Sequence, residues 1–248
     1  MNFESIVYGS VQGAGLLADA AWPDSDGPLP VVISVHGGRW YYGTRRDTGA
    51  INVREWSGFG FFAMSIDYRL TTCTPAPACY QDMLCSIRWV HANAKRYNLD
   101  TNRIFLIGMS CGGHMASLLA TLGEGKWART GGWEDYPTTF RAALCVSGAY
   151  DLVKLDWGAG WAPPGEPFPT AREYASPIRY VAADNKPQLL LHSDDDPSIP
   201  IEQVLRMDAA LREAGAPYKF VRYKDEGHIF ITEECIKQCR DYIAGFRG

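Results

Sequence analysis

The sequence predicts an α/β protein whose mostly parallel sheet is covered by helices on both faces. Three observations carry this. Short aliphatic, β-branched runs alternate along the chain with longer segments of helical periodicity. The runs are continuously apolar rather than alternating, as in strands buried on both faces. Several of them end in glycine, histidine or acidic residues, at the strand ends where such sheets hold ligands.

Each element can be justified in order. Pro30 to Val35 is a β-branched run left through Gly37-Gly38, which reads as a buried strand. Phe61 to Tyr68 is a second. Tyr80 to Tyr97 places Met83, Leu84, Ile87, Val90 and Ala94 at helical spacing. Arg103 to Ile107 is a strand directly before Gly108, and Cys111 to Leu122 reads as a helix. Arg141 to Val146 and Gln188 to His192 are two further strands. Glu202 to Ala214 is an amphipathic helix stopped by Gly215. Tyr218 to Tyr223 is a strand, and Glu233 to Phe246 a closing helix. No repeat or low-complexity linker interrupts residues 1–248, so a single domain is expected.

Composition narrows the function classes. The 248 residues are 46% hydrophobic and 21% charged, which is a globular balance. With 28 acidic and 24 basic residues the net charge is −4, which argues against nucleic-acid binding. No apolar run approaches the ~20 residues of a membrane span. Met1 to Ala20 lacks a basic segment followed by an apolar stretch, so a cytoplasmic protein is the expectation, with a secreted mature form left open. Of seven cysteines, Cys73 and Cys79 flank a proline-containing loop and are the candidate pair, while Cys85, Cys111 and Cys145 read as buried thiols. Monomer and homodimer both stay open.

The chemistry lies just after the strands. Gly108-Met-Ser-Cys-Gly112 is a G-x-S-x-G between a strand and a helix. A serine there makes a sharp, strained turn that projects its hydroxyl over the sheet. Cys111, one residue past the apex, should point its thiol away from the cleft and offer its N–H instead. His36-Gly-Gly-Arg-Trp40 follows the first of these strands, and its glycines let backbone N–H groups face a ligand, as an oxyanion hole requires. His192-Ser-Asp-Asp-Asp-Pro follows a later strand and offers Asp194, Asp195 and Asp196 as candidates to orient a histidine. His228, in the loop after the strand ending at Tyr223, is the candidate base. The order Ser, acid, His fits a nucleophile elbow. His36 should brace the oxyanion loop, His114 should pack or hydrogen-bond, and His91 should lie on a surface helix. No H-E-x-x-H or paired C-x-x-C is present, so no metal is expected.

These stretches, together with DYRL (67–70), WVHANAKRYNLDTNRI (89–104) and SPIRYV (176–181), resemble α/β-hydrolase esterases and lipases across nearly the whole chain. The resemblance is to small bacterial carboxylesterases of the hormone-sensitive-lipase-like and feruloyl or acetyl-xylan esterase-like groups. It implies an α/β-hydrolase fold of about eight strands, mostly parallel, with a short lid over about 151–177. It implies a small-molecule ester substrate, an acyl-enzyme intermediate and no cofactor. Residue by residue, Ser110 matches the nucleophile, His228 the base and Asp196 the acid. The N–H groups of Gly38, Arg39 and Cys111 match the oxyanion hole. Arg39 departs from the glycine common at its position, and its side chain can narrow the cleft or attract an anion. The Trp two residues after HGG also resembles kynurenine formamidases, which keeps an amide substrate as the alternative. A non-catalytic binding protein on the same fold is the remaining reading.

Eight tryptophans are an excess, and four of them, Trp127, Trp133, Trp157 and Trp161, fall on the two long loops flanking the strand after the nucleophile helix. Trp40, Tyr41, Trp157, Trp161 and Ile229 are therefore expected to contribute to the substrate pocket.

Overall fold

A computed structural model describes residues 1–246. One eight-stranded sheet organises the chain: β1 (Asn2–Val11), β2 (Ala14–Trp22), β3 (Leu29–Val35), β4 (Phe62–Ile66), β5 (Leu99–Met109), β6 (Ala142–Val146), β7 (Gln188–Ser193) and β8 (Tyr218–Tyr223). The helices are α1 (Val53–Gly58), α2 (Ala78–Tyr97), α3 (Cys111–Leu122), α4 (Phe168–Tyr174), α5 (Glu202–Ala214) and α6 (Glu233–Ala244). The strand order is β1-β2-β4-β3-β5-β6-β7-β8. β1 and β2 are antiparallel and β2 joins β4 antiparallel, while β4, β3, β5, β6, β7 and β8 run parallel.

The continuous apolar runs bury both faces of the sheet. In β3, Val31, Ile33 and Val35 enter one core and Val32 the other. The same alternation separates Ile104 and Leu106 of β5 from Phe105 and Ile107. Residues of α2, α3 and α5 pack in the larger core, and α1 and α6 close the other through Trp56, Cys235, Ile236, Cys239 and Ile243. α6 starts at Thr232, whose side chain accepts from the Cys235 N–H, with Glu233 and Glu234 in its first turn.

Residues 151–177 form two 3₁₀ turns and α4. His114 of α3 anchors their end, its ring nitrogen 2.7 Å from the Ala175 carbonyl. Cys73 is exposed and Cys79 buried, and both are free thiols, so this candidate pair does not form a disulfide. Among the described residues, no helix is long and apolar enough to cross a membrane.

Candidate active site

The turn between β5 and α3 positions Ser110. Its backbone is held at φ 56°, ψ −118°, a region costly for a residue with a Cβ. Such strain persists only where the surroundings over-determine it. Here the Ser110 N–H bonds to the Val146 carbonyl at 2.8 Å, and the Ser110 carbonyl accepts from the His114 N–H at 2.9 Å. Gly112 is required by the close approach of β3: a Cβ there would lie 2.1 Å from the Val35 carbonyl oxygen.

The loop after β3 turns sharply over the elbow. Gly38, Arg39 and Trp40 all have positive φ, at 114°, 51° and 66°. At Gly38 a Cβ would stand 2.0 Å from the Tyr42 carbonyl oxygen, which only glycine avoids. The Trp40 N–H donates to Cys111 Sγ at 3.2 Å, and the Arg39 N–H also faces that sulfur. Among the described residues, the N–H groups of Gly38 and Cys111 have no protein acceptor. His36 braces the loop from beneath. Its ring stacks on Tyr68 with centroids 4.1 Å apart, and Nδ1 lies 2.6 Å from the Gly37 carbonyl.

The loops after β7 and β8 bring Asp196 and His228 together. His228 Nδ1 lies 2.8 Å from Asp196 Oδ2. Asp196 Oδ1 accepts from the Ser198 and Ile199 N–H groups at 2.8 and 2.9 Å. Burial pushes the Asp196 carboxyl up, but the His228 bond and those two N–H donors outweigh it and hold the pKa below the usual carboxylate value. The neighbouring carboxylates are engaged elsewhere. Asp194 pairs with Arg222, while Asp195 accepts from Ser193 Oγ and the Gly227 N–H. His192, fully buried, sits 3.5 Å from Asp196 Oδ2, with Nε2 at 2.9 Å from the Ile199 carbonyl. Burial lowers its pKa, so the imidazole is neutral.

Ser110 and His228 border one cleft of about 180 Å³, with Gly37, Gly38, Arg39, Tyr42, Ser198 and Phe230 among its walls. No hydrogen bond joins the Ser110 hydroxyl to the His228 imidazole. Cys111 is a poor rival nucleophile, because its sulfur is buried and burial pushes the thiol up to about 11.

The aromatic expectations need correction. Trp40 and Trp161 are fully buried. They belong to a cluster with His114, Trp157, Trp127 and Tyr80, whose neighbouring ring centroids lie 5.1–6.5 Å apart. They therefore support the loop after β3 from within the core and do not wall the cleft. Tyr41 is exposed but points elsewhere, and Tyr42 borders the cleft in its place. Ile229 is buried, with its N–H on Ser147 Oγ, and the next residue, Phe230, faces the cleft. Trp157 is half-buried behind Arg39, whose guanidinium carbon lies 5.5 Å from the indole centroid.

The strand order, the strained serine after β5, and the acid and histidine after β7 and β8 define an α/β-hydrolase. Residues 19–211 match the BD-FAE family, and the chain belongs to that family. It is 32% identical over 197 residues to esterase LipQ of Mycobacterium tuberculosis, covering 75% of this chain and 47% of LipQ. It is 28% identical over 201 residues to esterase LipC of the same organism, covering 75% of this chain and 49% of LipC. The chain thus spans about half the length of these curated relatives. Among solved structures, an acetyl ester-xyloside bifunctional hydrolase from Caldicellulosiruptor lactoaceticus superposes with a TM-score of 0.83 at 24% identity, covering 99% of this chain and 97% of that one. Esterase Est2 of Thermogutta terrifontis gives 0.82 at 20% identity, covering 98% and 93%. At these identities the structural likeness concerns the fold.

Proposed function

We propose that the protein is a serine carboxylesterase working through an acyl-enzyme intermediate. The observation that carries this reading is the 2.8 Å bond between Asp196 and His228 at a cleft shared with the strained Ser110. The named esterases among its relatives support the same reading.

In the proposed reaction, His228 takes the Ser110 proton as the hydroxyl attacks an ester carbonyl. Asp196 fixes the Nδ1–H tautomer and stabilises the imidazolium. The Gly38 and Cys111 N–H groups, free of protein acceptors, receive the developing oxyanion, whereas the Arg39 N–H is turned to the Cys111 sulfur and is not among the donors. Each such donor contributes about 3 kcal/mol to the transition state. His228 then protonates the departing alcohol, and water repeats the sequence on the acyl-enzyme. The small cleft favours a short acyl group.

Ser110→Ala tests the reading. Hydrolysis of para-nitrophenyl acetate should fall by about 10³-fold or more while the melting temperature holds. Activity retained in a folded Ser110→Ala protein would overturn it. Assay of N-formylkynurenine alongside the ester separates an esterase from a formamidase on the same residues.

A further inference from the structure

Arg39 is the cleft residue that ester hydrolysis as such does not explain. It stands at φ 51°, a left-handed position that glycine adopts freely and arginine does not. The backbone strain is therefore spent on a position carrying a long cationic side chain beside the nucleophile.

That side chain is held in place. Its guanidinium lies over the Trp157 indole, and Trp157 is itself fixed by Nε1–H donation to the Ser198 carbonyl at 2.8 Å. Ser198 also borders the cleft. Gly160 closes on the Arg39 carbonyl from the same side, where a Cβ would stand 3.2 Å away. The cation is thus oriented by the Trp157 indole, which the Ser198 segment holds in turn, while Gly160 constrains only the Arg39 backbone.

It is also unneutralised. Among the described residues, no carboxylate lies within 4.0 Å of the Arg39 guanidinium, whereas Arg45 and Arg46 pair with Asp19, Arg206 with Asp151 and Arg222 with Asp194. Asp47 borders the cleft too, with Thr44 donating to its two oxygens through its N–H at 2.7 Å and its hydroxyl at 3.0 Å, and it makes no ion pair with Arg39. A stacked guanidinium with free N–H donors matches a planar carboxylate bidentately.

We infer that the cleft selects esters that carry a carboxylate on their acyl or alcohol part, with Arg39 as the residue that reads it. This rests on the serine esterase reading and specifies its substrate class.

The test compares matched pairs. For the alcohol side, para-acetoxybenzoate is measured against the neutral para-acetoxybenzamide. For the acyl side, the para-nitrophenyl monoester of adipic acid is measured against the para-nitrophenyl ester of the isosteric neutral branched acid. The wild type should favour the anionic member of at least one pair by about tenfold in kcat/KM. Raising salt from about 0.05 to about 0.5 M should shrink that ratio. Arg39→Met should bring it near one, and Arg39→Lys should keep part of it. A ratio taken within one preparation is independent of the fraction folded, and the wild-type ratio needs no variant. Hydrolysis of the neutral esters through Ser110 without anionic preference in either pair would overturn this inference alone. A preference that survives Arg39→Met would overturn the role of Arg39. No Ser110-dependent hydrolysis of any member would overturn both this inference and the esterase reading.

Discussion

The backbone N–H of Trp40 donates to the sulfur of Cys111 across 3.2 Å, so the loop after β3 is tied directly to the residue following the proposed nucleophile. The Tyr68 hydroxyl lies 3.5 Å from the same sulfur. Cys111 thereby joins the loop after β3 to the start of α3. Cys111→Ala removes the acceptor and leaves a buried N–H unpaired, which should destabilise the fold by about 1–3 kcal/mol and lower kcat. Cys111→Ser keeps an oxygen acceptor and should lose less of both. Denaturant melts and esterase kinetics on the two variants check the ranking. Mass mapping after iodoacetamide should find Cys73 modified and Cys111 intact in active enzyme. Inactivation that tracks alkylation of Cys111 would reassign the nucleophile.

The three consecutive carboxylates should separate cleanly in kinetics. Asp196→Asn disturbs the histidine tautomer and should reduce kcat by about 10³–10⁴-fold at nearly unchanged stability. Asp194→Asn loses an exposed pair with Arg222 and should leave kcat within about twofold, since surface pairs contribute about 1 kcal/mol or less. Asp195→Asn weakens the tie to Gly227, the residue before His228, and should fall between them. A larger loss at Asp194 or Asp195 than at Asp196 would move the acid.

Much of this arrangement was readable in the residues, and the rest was hidden for identifiable reasons. The inner parallel strands announce themselves because burial on both faces demands apolar runs, and the edge strand β8 is read instead from its alternation of aromatic or aliphatic residues with Lys219 and Arg222. The β1–β2 hairpin does not, because β1 mixes Ser, Glu and Gly with its apolar residues at a half-exposed edge and β2 is rich in alanine. Its turn has both central residues, Gln12 and Gly13, at positive φ, a hairpin device that Gln disguises. The side chains facing the cleft were displaced by one position at two loops. Tyr42 stands where Tyr41 was expected, because three successive left-handed residues at Gly38, Arg39 and Trp40 reverse the path of the loop. Phe230 likewise replaces Ile229, whose backbone is drawn inward to Ser147. Residue type alone cannot carry such local reversals. The tryptophan excess pointed to two loops that contribute no wall to this cleft, and tertiary packing turned Trp40 and Trp161 inward.

Trp157 and Trp161 should therefore diverge on substitution. Trp161→Ala empties a fully buried site within the aromatic cluster and should cost about 3–5 kcal/mol. Trp157→Ala removes a half-buried indole, its bond to Ser198 and the surface on which Arg39 stacks. It should cost less stability and change kcat/KM more, with the ratio between substrates shifting. Thermal melts set beside kinetics on several esters separate the two outcomes. Equal stability losses with unchanged substrate ratios would make Trp157 a packing residue as well.

Stability should decline on mild acidification because three histidines are buried in neutral form. Burial lowers the pKa of His36, His114 and His192, and for His114 it falls from the ordinary 6.5 to about 4. One ring nitrogen of each has no hydrogen-bond partner, so a proton added there is unsolvated. For His114 the folded-state pKa lies below the unfolded one, so between pH 6.5 and about 4 the unfolded chain binds more protons. Stability therefore rises with pH across that window and is lost as pH falls through it, by about 1.4 kcal/mol per pH unit at full effect, and His36 and His192 act in the same direction. His114→Gln keeps a donor for the Ala175 carbonyl and removes the titration. Its urea midpoint should drop less than that of the wild type between about pH 7.5 and about pH 4.5. Parallel curves for the two proteins would show that His114 does not contribute to the acid sensitivity.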